Sequence, residues 1–201
     1  MAKKSRATVI GISESKLDKS VLDGEVDIDG YEIVRSDRDR KGGGVACYVR
    51  SDMAFNVRKD FSTDIENIFF DLLLPNSKPI LIGIVYRPPK QINFLEKLST
   101  AIINATSFDA NEVYILGDIN INFKDKGQRY KEFCSLHGLK QLINSPTRVT
   151  EDTSTILDHV LTNSHDRVSQ SGVIDIGLSD HQLIYCTRKI VRPKVNEHNY
   201  I

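Results

Sequence analysis

Asp118 and Asn120 stand two residues apart at the end of the apolar run Ile115-Leu116-Gly117-Asp118-Ile119-Asn120. Side chains in a strand alternate faces with period two, so the two project to one side. A carboxylate beside a carboxamide suits phosphate chemistry: the first holds a hard cation or activates water, the second donates to phosphoryl oxygen. Asp and Asn also end strands as turn formers, so the pair alone leaves both readings open. Three further groups end apolar runs in the same way: Glu14, Leu157-Asp158-His159 and Ser179-Asp180-His181.

Glu14 follows Val9-Ile10-Gly11-Ile12-Ser13. From the end of a buried strand it can reach a site at the sheet's edge as a Mg²⁺ ligand. It fits equally in the first turn of a following helix, where the dipole favours an acid. Asp158 lies inside the run Ile156 to Leu161, where an unpaired carboxylate is costly. It needs a partner. His181 is the obvious one, because a carboxylate on one ring nitrogen fixes the tautomer and raises basicity; Asp180, next to His181, competes for the same task. Tyr86 and Arg87 end another apolar strand at Tyr86-Arg87-Pro88-Pro89, with proline stopping the strand. The Tyr86 hydroxyl and the Arg87 guanidinium both suit a phosphate, and Tyr86 also fits as a half-buried core residue.

Other patterns carry less. Gly42-Gly43-Gly44 is followed by the strand-like Val45 to Val49 and no Gly-Lys-Ser/Thr, which rules out a phosphate loop in favour of a tight connection between strands. Arg35, Arg38, Arg40 and Lys41 could touch a nucleic-acid backbone, but Asp37 and Asp39 interleave with them and a solvated mixed-charge loop is the preferred reading. Ser179-Asp180-His181 is not a hydrolase triad: there is no Gly-x-Ser-x-Gly elbow, and neighbours in an extended chain face opposite sides. His137 and His165 read as surface residues.

These residues must be positioned by strands. Thr8 to Ile12, Tyr31 to Val34, Gly44 to Val49, Ile68 to Leu74, Ile80 to Tyr86, Glu112 to Gly117, Ile156 to Leu161, Gly172 to Ile176 and Gln182 to Ile190 are short, rich in β-branched or aromatic residues, and bounded by turn chemistry. Pro75 to Pro79 reads as a hairpin connection. Helical spacing appears at Phe94, Leu95, Leu98, Ala101, Ile102 and Ala105, and at Tyr130, Phe133, Cys134 and Leu136 before a capping Gly138. A brief third helix is expected from about Ser15 to Leu22. Many strands with few, separated helices predict an α+β sandwich rather than a βαβ repeat.

At 201 residues the chain makes one domain, residues 1–190, with a tail or linker at 191–201. The 40% hydrophobic content supports a packed core and excludes disorder. With 27 basic and 27 acidic side chains, any nucleic-acid binding must come from local patches. Three scattered cysteines give neither a disulfide framework nor a metal pair, which fits a reducing compartment. No run is long enough for a membrane span, the basic start is neither signal peptide nor import signal, and the expectation is an intracellular protein of nucleus or cytoplasm.

Taken in order, Ile12-Ser13-Glu14, Gly42-Gly43-Gly44-Val45-Ala46, Val85 to Pro89, Gly117-Asp118-Ile119-Asn120, Leu157 to Leu161 and Ser179-Asp180-His181 are similar to the endonuclease/exonuclease/phosphatase (DNase I-like) superfamily. Within it they most resemble the endonuclease domain of non-LTR (LINE-type) retrotransposons. The resemblance implies a four-layer α/β-β/α sandwich and Mg²⁺-dependent phosphodiester hydrolysis, with Mn²⁺ as an alternative cation, by in-line attack of water on DNA. Glu14 would be the principal metal ligand, with Asp180 assisting metal or water. Asp118 would orient or deprotonate the water, Asn120 would hold the scissile phosphate, and Tyr86 and Arg87 would contact it. Asp158 would orient His181, which would stabilise the transition state or act as acid-base; the proton falls to Asp118 or His181. Nicking of chromosomal DNA by a monomer would prime reverse transcription.

The sequence departs from that pattern at its start. Relatives begin with another strand ending in an Asn that supports the metal-ligand Glu, then a helix; this chain opens at about the second strand, so the expected sandwich lacks the first strand and helix. That predicts a truncated reading frame derived from an element, with impaired catalysis. The competing expectations are an inactive, domesticated DNA- or protein-binding domain and, more distantly, a phosphatase of small phosphoesters.

Overall fold

The computed structural model describes residues 7–59, 65–106, 112–125 and 127–189; the basic start at 1–6 and the tail at 191–201 lie outside them. Six strands form the main sheet: β4 (Ala54–Val57), β5 (Glu66–Leu73), β6 (Ile80–Tyr86), β7 (Glu112–Asp118), β11 (Asp158–Thr162) and β8 (Lys140–Gln141), adjacent in that order. β6 and β7 are parallel and joined through helix α1 (Phe94–Thr106); the other pairs are antiparallel. Parallel neighbours need a long crossover, and the apolar stripe of α1 supplies it.

The sheet's two faces are set by alternation. Phe69, Leu81, Val85, Val113, Ile115 and Leu161 face a core built with α1 and helix α2 (Gln128–Leu136). Ile68, Phe70, Ile82, Ile84 and Tyr114 face the opposite way, under a second layer. That layer has two parts: a sheet of β1 (Val9–Ser13), β3 (Val45–Arg50) and β2 (Tyr31–Ser36), ordered β1-β3-β2, and a hairpin of β12 (Val168–Ile174) and β13 (Leu183–Arg188). β1 crosses β6 and β7, while β13 lies against β11. No ladder joins β1 to β13 among the described residues. Leu116 of the central β7 packs against the apolar clusters under both parts yet stays partly exposed, and no residue of β1 is fully buried. The fold is the expected DNase I-like sandwich, with its second β-layer divided.

Most elements fall where the patterns place them; Ile80–Tyr86 coincides to the residue. The expected helix from Ser15 to Leu22 is absent. Glu14 and Lys16 take positive φ, and Asp18 accepts bonds from both the backbone N–H and hydroxyl of Ser20, which fixes a turn. Ser15 and Lys16 donate their N–H groups to Gly44 and Gly43 instead of to a helix. Only a 3₁₀ turn follows, at Asp23–Glu25. His165 is exposed as expected, but His137 is half-buried: its Nε2 is 2.7 Å from Ser99 Oγ, tying α2 to α1. No helix among the described residues is long and apolar enough to cross a membrane.

Candidate active site

Strand register builds the site. Glu66 of β5 stands opposite Tyr86 of β6, Tyr86 beside Asp118 of β7, and Asp118 opposite Asp158 of β11. Each lies two residues beyond an apolar neighbour of the second-layer face (Ile68, Ile84, Leu116, Val160), so the row of four side chains emerges on that face at one end of the sheet. The divided layer closes over the row from two sides. β1 delivers Glu14 just past its last residue, and the segment leading into β13 delivers His181.

Contacts hold the parts together. Tyr86 donates its hydroxyl to Glu14 Oε1 at 3.3 Å, and Asp158 Oδ2 lies 2.9 Å from His181 Nδ1. Of the two candidate partners for Asp158, His181 is therefore the one that binds it. Asp180 is engaged elsewhere, accepting from Arg148 Nε at 2.7 Å, and that guanidinium holds its carboxyl below the usual range. Thr147 Oγ1 accepts the N–H groups of Leu157 and Asp158, each at 3.0 Å, fixing the start of β11. Ser13 Oγ donates to Val85 O at 3.1 Å and accepts from Asp118 N at 3.2 Å, pinning the end of β1 to the main sheet. Gly117 makes this possible: at φ +143° a Cβ there would collide with the Val85 carbonyl.

Asn120 and Arg87 behave differently from their sequence reading. Asn120 sits in the left-handed region at φ +50°, which Asn tolerates. Its backbone N–H donates to Asp118 Oδ1 and its Nδ2 to both Asp118 Oδ2 and Arg87 O, each at 2.9 Å. Its amide therefore brackets Asp118. The Arg87 guanidinium donates to the carbonyls of Asn120 (2.9 Å) and Gln91 (3.1 Å), with a longer bond to Ile119 O, so these donors hold backbone. Lysine cannot form that fork. Arg87→Lys is expected to lower stability by about 1–2 kcal/mol in urea unfolding. It should also lower kcat more than it raises KM; a change in KM alone would mean that Arg87 touches substrate.

Electrostatics single out one carboxylate. Asp118 is 8% exposed, and burial, with Asp158 next to it, pushes its pKa up to about 7. The hydrogen bond that His181 Nδ1 donates to Asp158 raises the pKa of His181, and its Nε2 has no hydrogen-bond partner among the described residues. Burial and the Glu14 carboxylate push the Tyr86 phenol up to about 12, so it remains a donor. Asp118, Asp158 and His181 place ligand atoms within 4.8 Å of one another, a cluster that could hold a metal ion. Neither expected ligand, Glu14 or Asp180, belongs to that cluster; its carboxylate oxygens suit a hard divalent cation.

Two residues were missed in the sequence. His159 is fully buried, its Nδ1 2.5 Å from Tyr130 Oη and its Nε2 3.0 Å from Ile121 O, so it supports the loop after Asp118 from below. The signal available was its parity, opposite to Asp158 in an apolar run. Glu66 completes the row of four, and its parity with Ile68, Phe70 and Leu72 placed it on the site's face.

A family model described as "Endonuclease-reverse transcriptase" matches residues 80–185, over half the chain and all of the row except Glu66. The chain belongs to this family. Its fold is shared with the endonuclease domain of TRAS1, a telomere-specific non-LTR retrotransposon, at 14% identity and TM-score 0.73, over 92% of this chain and 88% of that one. It is shared too with the 3'-5' exonuclease NExo from Neisseria meningitidis, at 15% identity and TM-score 0.70, over 93% and 91%. A NExo 3' phosphatase variant bound to a product DNA hairpin aligns at 13% identity and TM-score 0.68, again over 93% and 91%. No curated protein matches the sequence. The chain thus sits in the DNase I-like superfamily of nucleases and phosphatases, and its family supports a hydrolase.

Proposed function

We propose that the chain is a magnesium-dependent DNA endonuclease domain of retrotransposon type, acting as a monomer to nick one strand. The observation that carries this is the convergence of Tyr86, Asp118 and Asp158 in register on one sheet, with Glu14 and His181 brought in from either half of the layer above. Asp118, with its pKa near neutrality, accepts the proton of the attacking water as water's oxygen bonds to phosphorus. The bond from the Asn120 backbone N–H keeps the carboxylate aimed. Asn120 holds the phosphate, as the resemblance implies, once the Nδ2–H now given to Asp118 turns to a phosphoryl oxygen. His181, made more basic by Asp158, presents Nε2–H to the charge that develops on phosphorus-bound oxygen. Tyr86 donates to the same group.

Glu14 would hold the cation, with the Asp118–Asp158–His181 cluster beside it. When bound, Mg²⁺ or Mn²⁺ polarises the phosphate and neutralises the departing 3'-oxygen. Asp180, committed to Arg148, acts by fixing the His181 segment. Nicking by such a domain would supply the 3'-hydroxyl from which a reverse transcriptase extends.

Conversion of supercoiled plasmid to open circles, with Mg²⁺ and with EDTA, tests the reading. Cutting that needs Mg²⁺ and falls about 10²–10⁴-fold in Glu14→Ala and His181→Ala is expected. Equal cutting by those variants would dismiss the site. The divided second layer favours a second reading, a domain that binds DNA or protein without turnover, and that reading predicts no nicking under any condition. Release of phosphate from a 3'-phosphorylated oligonucleotide, without nicking, would point to a phosphatase.

A further inference from the structure

We propose that Arg38 is a phosphate-binding residue at the rim of this site, cradled by Gly42, Gly43 and Gly44 and aimed by Glu66; it rests on the nucleic-acid reading above. The glycine run is no phosphate loop, but it is built around a guanidinium. Arg38 Nε donates to Gly42 O at 2.7 Å, and Nη1 donates to Glu66 Oε1 at 2.6 Å. Gly44 N–H donates to the other oxygen of Glu66. Gly43 has φ +76°, and a Cβ there would collide with the guanidinium carbon of Arg38 and with Glu66. Any side chain at Gly43 would therefore evict Arg38.

Two of the three guanidinium nitrogens are spent on the cradle. The third, Nη2, has no hydrogen bond to a described residue and points to the site. It lies 3.2 Å from the position a Cβ of Gly42 would take, and Glu14 Oε1 lies 3.4 Å from that same position. Glu66 itself stands opposite Tyr86 in the row that builds the site. The Arg38 side chain is 41% exposed, whereas the Arg87 guanidinium at the other side of Tyr86 is occupied by backbone carbonyls.

The chemistry follows from charge. Glu14, Asp118 and Asp158 line a cleft that must admit a polyanion. An oriented guanidinium beside Glu14 supplies a fixed cation with a free donor, the geometry that matches a phosphodiester. The ligand is thus a backbone phosphate next to the scissile one, bound without regard to base sequence.

The test is DNA binding by the full chain in a His181→Ala background with EDTA, which blocks cutting, using fluorescence anisotropy of a labelled duplex across a salt series. Arg38→Ala should weaken binding about tenfold and make the slope of log K against log salt shallower by about one. Arg38→Lys should keep the slope while binding more weakly, since an ammonium cannot hold the cradle and a phosphate at once. If Arg38→Ala fails to fold, Arg38→Gln removes the charge, keeps a donor for Gly42 O, and is judged by the same slope. Parent-like affinity and slope in the neutral variant overturn the proposal for Arg38 alone. A parent that binds no DNA at all overturns the nucleic-acid reading, and Arg38 with it.

Discussion

Asp118→Asn should give a protein that cuts DNA about 10³-fold more slowly yet unfolds at higher temperature above pH 7. The loss of rate follows from removing the proton acceptor at the end of β7. The gain in stability follows from burial. In the unfolded chain Asp118 ionises with an ordinary pKa of 3.8; in the folded protein the value is about 7. A raised folded pKa contributes stability below pH 4 that is lost progressively as pH rises to 7, because the unfolded state sheds its proton first. Three units correspond to about 4 kcal/mol as a ceiling, and about 2 kcal/mol is expected once solvent and the Asn120 bonds are counted. In EDTA the variant should therefore melt about 4–8 °C above the parent at pH 8 and together with it at pH 4. A variant no more stable at pH 8 would show that the ionised carboxylate is already compensated in the fold.

His159→Leu should be the reverse case, a large loss of stability from a residue that never meets substrate. The imidazole has no exposure, and it answers the Tyr130 hydroxyl on one nitrogen and the Ile121 and Ile156 carbonyls on the other. Since Nε2 faces carbonyls, it carries the proton and Nδ1 accepts from Tyr130. Leucine fills the volume but leaves the buried Tyr130 hydroxyl without its acceptor and two carbonyls without their donor, at about 2–4 kcal/mol in urea unfolding. Adding Tyr130→Phe should return about 1 kcal/mol, because an orphaned hydroxyl is then removed. Strict additivity of the two substitutions would mean that the buried pair is not coupled.

The contrast between Asp158 and His159 shows what could be read in the chain beforehand. An apolar run interrupted by two polar residues announced that one needed a partner, and the run's parity separates them. Which partner Asp158 takes could not be read, because His181 and Asp180 are adjacent in sequence and only the Arg148 bridge assigns them. Both helices and most longer strands were legible because apolar periodicity is local; the mostly exposed edge strand Ala54–Val57 carries too little of it to be read. The row Glu66–Tyr86–Asp118–Asp158 was only partly legible, since it is a property of pairing across four strands, and Glu66 precedes the strand expected from Ile68 to Leu74. Ser15 to Leu22 misled for a physical reason: its composition tolerates helix, but the positive φ at Glu14 and Lys16 and their bonds to the glycine loop outweigh that weak preference. Two-residue strands such as Arg148–Val149 leave no periodicity to detect. Arg87 and Arg38 were read by charge, whereas their employment depends on which carbonyls surround each guanidinium.

The divided second layer has a consequence of a mechanical kind. Glu14 stands on one jaw and His181 on the other, with no backbone ladder between the jaws among the described residues. Their separation is therefore gauged by the bed on which both rest, β7, and above all by Leu116, which with Cys186 of β13 belongs to the packing beneath each. The gap across which chemistry must occur is set two residues below Asp118, by the fit of a hydrocarbon side chain.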